Sequence, residues 1–160
     1  MQPTPVFRIL LIDDHRLFND GLRALLNKQP DLTVCGQVFH ACNALPTIQR
    51  SNPHLILLDI NLHGSNSIDL SKAVINSYPA VRGMLLTMYN QPKLLDEAQR
   101  AGLHGYLLKD ATTIELLGRI RDVLGGDMYF DTNVAAPSLT PNDPFSYPFA
   151  QLQNLTFREV

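Results

Sequence analysis

Four apolar runs in this 160-residue chain end in residues suited to holding a metal ion or a phosphate. In chain order these residues are Asp13 with Asp14, then Asp59, Thr87 and Lys109. Three carboxylates suit Mg²⁺, which prefers oxygen ligands and leaves room for a phosphate oxygen. A lysine offers phosphate a positive charge, and a threonine hydroxyl offers it a hydrogen bond. The set therefore predicts phosphoryl-transfer chemistry, with one carboxylate as the nucleophile.

Each of these residues, taken alone, has a commoner structural explanation. An aspartate at a strand end is usually a helix N-cap or a solvated turn residue. Thr87 alone is more often a cap, and Lys109 alone is more often solvated. The functional interpretation gains weight only if the strand ends come together. In an open parallel sheet with helices between the strands they do, because all the carboxyl ends lie on the edge where such sheets bind ligands.

The chain supplies the elements that such an edge requires. Hydrophobic periodicity predicts strands at 7–13, 32–39, 55–59, 81–87 and 104–108, and helices at 18–26, 41–50, 68–75, 92–101 and 112–124. Residues 64–66 are predicted as a polar turn. Alternating strands and helices are typical of a doubly wound α/β fold, with a five-stranded parallel sheet and five helices.

Composition restricts the functions that this chain can have. A net charge of -2 argues against direct binding of a nucleic-acid backbone, which needs a clustered basic surface. No apolar stretch could span a bilayer and residues 1–5 lack the features of a secretory signal, so we expect a cytoplasmic protein that does not enter membranes. Cys35 and Cys42 are expected to be reduced thiols, and the dispersed histidines argue against a zinc site.

The end of the chain differs in composition from the rest. Prolines recur at 137, 141, 144 and 148, which predicts a linker at 127–150 after a first domain at 1–126. Apolar spacing returns at Leu152 and Leu155, and Thr156 with Glu159 forms a capping-box pattern. We therefore expect residues 151–160 to be the start of a second, truncated domain.

Four segments together resemble the receiver domain of bacterial two-component response regulators. They are Leu11-Ile12-Asp13-Asp14-His15, Leu57-Leu58-Asp59-Ile60-Asn61-Leu62, Leu85-Leu86-Thr87 and Gly105-Tyr106-Leu107-Leu108-Lys109-Asp110. The resemblance covers about residues 7–126 and implies the flavodoxin-like receiver fold. Residues 155–160 resemble the opening of a LuxR-type helix-turn-helix domain, which places the chain in the NarL/FixJ group.

The resemblance implies a role for each site residue. Asp59 would be the phosphoacceptor, taking its phosphoryl group from a sensor histidine kinase. Asp14, Asp59 and the backbone carbonyl of Asn61 would bind Mg²⁺, with Asp13 assisting. Lys109 would pair with the phosphoryl group. Thr87 and Tyr106 would form the switch pair, although Tyr106 could instead be a plain surface aromatic.

Several positions depart from the family pattern. Leu62-His63 and Asn66-Ser67 replace the usual residues of the turn after Asp59. Met88 stands where the family often has a small residue, and we expect it to narrow access to Asp59. Asp110 replaces the proline that usually follows the lysine, which leaves open whether the Lys109-Asp110 bond is cis or trans.

The leading hypothesis is a phosphoacceptor signalling domain that controls transcription and is not an enzyme acting on other substrates. DNA would be bound by the C-terminal domain and not by this chain. One alternative is a receiver-like interaction module that works without phosphate. Another is a phosphohydrolase of the haloacid-dehalogenase type, which favours a second acid where Asn61 stands. The apolar residues of the last predicted helix could mediate a homodimer or simply pack on neighbouring helices.

Overall fold

The computed structural model describes residues 5–62, 65–88 and 91–130, with the backbone alone for Asn61 and Ser65. Its strands are β1 (Phe7–Ile12), β2 (Leu32–Val38), β3 (Leu55–Asp59), β4 (Asn61–Leu62), β5 (Ser65–Asn66), β6 (Arg82–Thr87), β7 (Gly105–Leu108) and β8 (Tyr129–Phe130). Its helices are α1 (Arg16–Asn27), α2 (Ala44–Ser51), α3 (Ser67–Ser77), α4 (Pro92–Arg100) and α5 (Thr113–Leu124), and a 3-10 turn at Ala41–Asn43 precedes α2. The predicted helix-turn-helix segment and the predicted linker beyond residue 130 lie outside the described residues.

The main sheet has six parallel strands in the order β2-β1-β3-β6-β7-β8. The predicted α/β class and the five helices are confirmed, but the predicted count of five strands is wrong. The additional strand, β8, pairs with β7, and the Tyr129 amide donates to the His104 carbonyl at 3.0 Å. A strand of two residues is too short to show any hydrophobic alternation, so the sequence pattern does not reveal it.

A second correction concerns the segment after Asp59. The residues predicted as a polar turn include Ser65–Asn66, which forms β5 and pairs antiparallel with Asn61–Leu62. This small hairpin leads directly into α3. Its last residue, Asn66, caps that helix, because the side-chain oxygen accepts hydrogen bonds from the amides of Ile68 and Asp69.

Hydrophobic residues on both faces of the sheet form the core. Alternate residues of β1 point to opposite sides, with Ile9 and Leu11 packing under α1 and α5, and Leu10 and Ile12 packing on the other face. All four are buried. Burial on both faces explains why the strands are almost continuously apolar, since helices cover both sides of a parallel sheet.

The helices begin and end at residues that commonly start or stop helices. Pro92 is the first residue of α4, and Thr112 caps α5 by accepting a hydrogen bond from the Glu115 amide at 3.1 Å. Gly102 follows α4 with a φ of +87°, a left-handed conformation that glycine adopts without strain. Asn52 ends α2 in the same region, with a φ of 50°.

The pairing of β1 with β2 contains a register shift. Ile9 lies opposite Val34 while Leu10 lies opposite Gly36, so that Cys35 is the additional residue. A Cβ atom on Gly36 would come within 2.8 Å of Leu10 Cδ1. A side chain at residue 36 would therefore require the end of the Leu10 side chain to move.

The apolar residues of α5 are used within the chain. Leu116, Leu117, Ile120 and Val123 are buried against the sheet and α1, whereas Ile114 is 82% exposed. The explanation by packing on neighbouring elements therefore accounts for most of the apolar surplus.

None of the helices in the described part of the chain has the length and apolarity that a bilayer crossing requires.

Candidate functional site

The topological switch point of the sheet, where the strand order reverses, lies between the carboxyl ends of β1 and β3. From β1 the chain runs outward to β2 and then returns to β3 on the other side of β1. The connections on the two sides diverge there, which opens a crevice at the carboxyl edge. Asp13 and Asp14 follow β1, and Asp59 is the last residue of β3, so the crevice is lined by carboxylates.

Backbone and side-chain hydrogen bonds fix Asp13. Its amide donates to the Val38 carbonyl at 3.0 Å, and its own carbonyl accepts a hydrogen bond from the buried Asn19 side chain at 3.0 Å. Asp13 Oδ1 accepts a hydrogen bond from the amide of His15 at 2.9 Å. Because His15 is the N-cap residue of α1, helix capping does not account for Asp14.

Lys109 bridges two of the carboxylates from inside the protein. Its Nζ lies 3.1 Å from Asp13 Oδ2 and 3.0 Å from Asp59 Oδ1, and the residue is only 2% exposed. The Lys109 amide donates to the Thr87 carbonyl at 2.7 Å, which ties the end of β7 to the end of β6. The bland explanation of Lys109 as a solvated side chain is therefore wrong.

Asp59 is buried among these groups, with 4% of its surface exposed. Burial raises the pKa of its carboxyl group to about 6; the positive charge of Lys109 opposes this shift and the nearby Asp13 carboxylate adds to it. Oδ2 is buried and accepts no hydrogen bond within the described residues. At neutral pH the group is therefore a desolvated carboxylate, a form that favours gaining a new positive partner.

The donor set fits a hard divalent cation. Asp13, Asp14 and Asp59 each offer a carboxylate oxygen, and with a nitrogen of His15 these atoms lie within 4.8 Å of one another. In this cluster the carboxylates of Asp13, Asp14 and Asp59 outnumber the ammonium of Lys109, which lies within 3.1 Å of two of them. A cation with two positive charges and a preference for oxygen, such as Mg²⁺, matches both the charge and the ligand type.

Thr87 and Tyr106 lie on the strands between Asp59 and the outer edge. Thr87 ends β6, directly after Leu86, the register partner of Asp59. Tyr106 lies in the middle of β7, opposite Leu85 on one side and Phe130 on the other. Both residues are 0% exposed, so the interpretation of Tyr106 as a surface aromatic is wrong. Thr87 is not a helix cap either, because the N-cap position of α4 is Gln91.

The side chain of Ser67, one of the residues that depart from the family pattern, holds the turn after Asp59 in place. The Ser67 hydroxyl is buried and lies 2.7 Å from the Asp59 carbonyl and 2.8 Å from the Ile60 carbonyl, so it donates back to the end of β3. Asn61 begins β4, and its backbone lies two residues beyond Asp59. His63 lies outside the described residues. The Lys109-Asp110 bond is trans, because the described residues include no cis peptide.

Two residues near the site were missed by reasoning from strand ends. The ring of His15 enters the acidic cluster, with Nδ1 3.0 Å from Asp13 Oδ1 and 3.6 Å from both Asp14 Oδ1 and Asp59 Oδ2. Phe18, the first residue of the helix predicted at 18–26, lies against Lys109. His15 directly follows the two acids, and that adjacency was the available signal.

Comparison with known proteins identifies close similarity over the same region. The family profile described as the response regulator receiver domain matches residues 9–121. The transcriptional regulatory protein MctR of Rhizobium johnstonii is 34% identical over 84% of this chain and 63% of its own length. The DNA-binding transcriptional activator DevR/DosR of Mycobacterium tuberculosis is 31% identical over 81% of this chain and 59% of its own length. This chain thus spans about three fifths of these curated relatives.

Solved structures agree with the fold. A LuxR-family two-component response regulator from Aurantimonas has a TM-score of 0.77 at 26% identity, covering 81% of this chain and 93% of that one. The receiver domain of the NarL response regulator from Mycobacterium tuberculosis has a TM-score of 0.71 at 29% identity, covering 76% and 98%. The resemblance to receivers of the NarL and LuxR type is thereby confirmed.

Proposed function

Because this chain belongs to the response regulator receiver domain family, we propose that Asp59 accepts a phosphoryl group from a phosphohistidine of a sensor kinase. The observation that carries the proposal is the position of Asp59. Its buried carboxylate ends β3 at the switch point of the sheet, 3.0 Å from the Lys109 ammonium and beside two further acids. A structural aspartate has no need of such surroundings.

In the transfer step an oxygen of Asp59 attacks the phosphorus atom of the donor. A new O–P bond forms while the N–P bond breaks, and its electron pair stays on the imidazole nitrogen, which then takes a proton. The product is an aspartyl phosphate. Because the pKa of Asp59 is about 6, the nucleophile is mostly ionised at pH 7. Lys109 offsets the negative charge that accumulates on the transferring group.

We propose that Asp13, Asp14, Asp59 and the backbone carbonyl of Asn61 hold Mg²⁺. When bound, the cation would neutralise charge on the phosphoryl oxygens and bring donor and acceptor together. The support is the charge and ligand type of the cluster: three carboxylates oppose one ammonium, and the buried Asp59 Oδ2 accepts no hydrogen bond within the described residues.

The switch residues extend the proposal to signalling. The hydroxyl of Thr87 would move toward the phosphoryl group on Asp59, and Lys109 would exchange a carboxylate for a phosphoryl oxygen. The ring of Tyr106 is buried on the neighbouring strand β7, and it would repack when Thr87 moves. A charge added at one edge of the sheet would in this way alter the face formed by α4, β7 and α5.

The partners follow from the family. A sensor histidine kinase would supply the phosphoryl group to this protein in the cytoplasm, and a C-terminal domain outside the described residues would bind DNA and control transcription. A homodimer formed after phosphorylation would be one form of output. Light scattering with and without beryllofluoride and Mg²⁺ would detect it as a change of mass.

Intact-mass spectrometry tests the phosphoacceptor. We expect incubation with acetyl phosphate and Mg²⁺ to add the mass of one phosphoryl group, and chelation of Mg²⁺ or the Asp59→Asn substitution to abolish the gain. Asp110→Asn, which changes an exposed carboxylate at a neighbouring strand end, is the matched control and should retain it. A chain that stays unmodified with both acetyl phosphate and a cognate kinase would favour the phosphate-independent interaction module.

A further inference from the structure

The ammonium group of Lys109 contacts an aromatic ring as well as two carboxylates. Its Nζ lies 4.3 Å from the ring centroid of Phe18 on α1. Phe18 is 6% exposed, so the ring and the ammonium meet inside the protein. The face of an aromatic ring carries negative charge density and attracts a cation, most strongly where water is excluded.

A small cavity lies beside this contact. Its volume is about 10 Å³, and the residues that line it include Phe18, Lys109, Leu86 and Leu116. A space of this size is at the lower limit for a single water molecule, and an apolar wall gives water few partners. The ring of Phe18 therefore takes the place that solvent occupies around an exposed lysine.

The contact differs in kind from the two ion pairs. Each carboxylate oxygen holds Lys109 in one direction, at 3.1 Å for Asp13 and 3.0 Å for Asp59. A ring face attracts the cation over a broader area. When the charge of Asp59 moves outward onto a phosphoryl group, the ammonium has to follow it, and a contact spread over a ring face tolerates a shift of the cation better than a directed ion pair does.

We propose that Phe18 is a positioning residue for the phosphoryl transfer: its ring holds the Lys109 ammonium at the site and supports it while it exchanges Asp59 for the phosphoryl group. This inference rests on the proposed function, because it assigns Lys109 to the phosphoryl group. Phe18 is a positioning residue in this proposal because it acts through the Lys109 ammonium that it contacts.

Ring fluorination tests the proposal with little change of shape. Phenylalanine analogues with one, three and five ring fluorines at residue 18 would withdraw charge from the ring face stepwise. We expect the rate of phosphorylation by acetyl phosphate to fall at each step, reaching about a three- to tenfold loss, with a similar loss in Phe18→Leu. Phe18→Tyr, which keeps the ring, should retain the wild-type rate of phosphorylation.

A matched control separates positioning from packing. Leu26 is buried on the same helix and in the same core, and Leu26→Val removes a methylene group from it. This variant should lower the melting temperature without lowering the phosphorylation rate. A rate that is unchanged across the fluorinated series would overturn the proposal, as would a loss in Leu26→Val equal to that in Phe18→Leu.

Nuclear magnetic resonance of the unphosphorylated protein provides a reading that does not depend on transfer. Cε of Lys109 is bonded to the nitrogen that lies 4.3 Å from the ring centroid of Phe18, so ring currents should shift the signals of its protons upfield. The shift should disappear in Phe18→Leu and persist in Phe18→Tyr. Wild-type protein that takes up no phosphoryl group would defeat the proposed function alone, whereas unshifted Lys109 signals would overturn the role of Phe18.

Discussion

The buried position of the Asp59 carboxylate lowers the stability of the folded protein before any phosphoryl group is bound. The carboxylate is desolvated and lies near the Asp13 carboxylate, and the nearby ammonium of Lys109 compensates it only in part. A buried charge of this kind destabilises the fold unless a partner neutralises it. The residue that is best placed for the chemistry is therefore one that the fold alone would not favour.

This cost predicts a pH-dependent stability. The raised pKa means that, in metal-free protein between about pH 4 and pH 6, the folded state binds more protons at Asp59 than the unfolded state does. Stability should fall as the pH rises through that window. We expect Asp59→Asn to be more stable than wild type at pH 7, by about 1–3 kcal/mol, and equal to it near pH 4.

Urea unfolding across this pH range would measure the effect. Asp110→Asn serves as the control, because that carboxylate is exposed and should show no such crossover. A wild-type protein that is more stable than Asp59→Asn at pH 7 without metal would contradict the explanation.

We predict that the side chain of Met88 narrows the access of phosphodonors to Asp59. The residue follows Thr87 at the end of β6 and is 48% exposed. We expect Met88→Ala to speed phosphorylation by acetyl phosphate about two- to fivefold, since a smaller side chain lowers the steric barrier to the donor. Met128→Ala, which shortens another exposed methionine, should leave the rate unchanged. An equal rate in Met88→Ala and wild type would contradict the steric role.

At the residue scale, the sequence allowed the carboxylates and Lys109 to be predicted together, because strand ends of a parallel sheet converge. His15 and Phe18 could not be placed in this way. Both lie at the beginning of α1, and their approach to the site depends on the angle at which that helix crosses the sheet. A hydrophobic period reports which face of a helix is buried, but not which neighbour it meets.

At the scale of elements, backbone conformation alone should decide the effect of two alanine substitutions. Gly21 lies within α1, and a Cβ there would meet nothing within 4 Å. Gly102 has a φ of +87°, and a Cβ there would make only ordinary contacts, at 3.7 Å, with Ile75. Space is thus available at both positions, but only Gly21 has a helical conformation.

We therefore expect the two substitutions to act in opposite directions. Gly21→Ala should stabilise the protein by about 0.5–1 kcal/mol, because alanine loses less entropy in a helix. Gly102→Ala should destabilise it by about 1–2 kcal/mol, because a side chain is strained in the left-handed region. Thermal and urea unfolding of both variants would check the signs, and two shifts in the same direction would contradict the argument.

The elements also differ in how well the sequence predicted them. The long strands and the five helices followed from hydrophobic periodicity and from the positions of Pro92 and Gly102. The two-residue strands β4, β5 and β8 did not, because two residues are too few to show a hydrophobic period. Their partners are set by tertiary contacts, such as the hydrogen bond from the Tyr129 amide to the His104 carbonyl.

At the scale of the whole molecule, a cation bound by the acidic cluster would couple metal binding to folding. A cation that binds the folded state alone stabilises it, by about 2.7 kcal/mol at one hundred times its dissociation constant. We expect Mg²⁺ to raise the melting temperature in a saturable manner, and Asp14→Asn to weaken the response. Potassium chloride at equal ionic strength should give no such increase. Equal responses to the two salts would contradict a specific site.

The register shift at Cys35 has a consequence for how copies of the molecule meet. Strand β2 forms one outer edge of the sheet, and a long, regular edge strand invites pairing with a strand of another molecule. The additional residue bends and twists β2, which spoils the regular spacing of its outward amides and carbonyls. We therefore expect the irregularity beside Leu10 to make this border of the sheet a poorer template for aggregation than a regular edge strand would be.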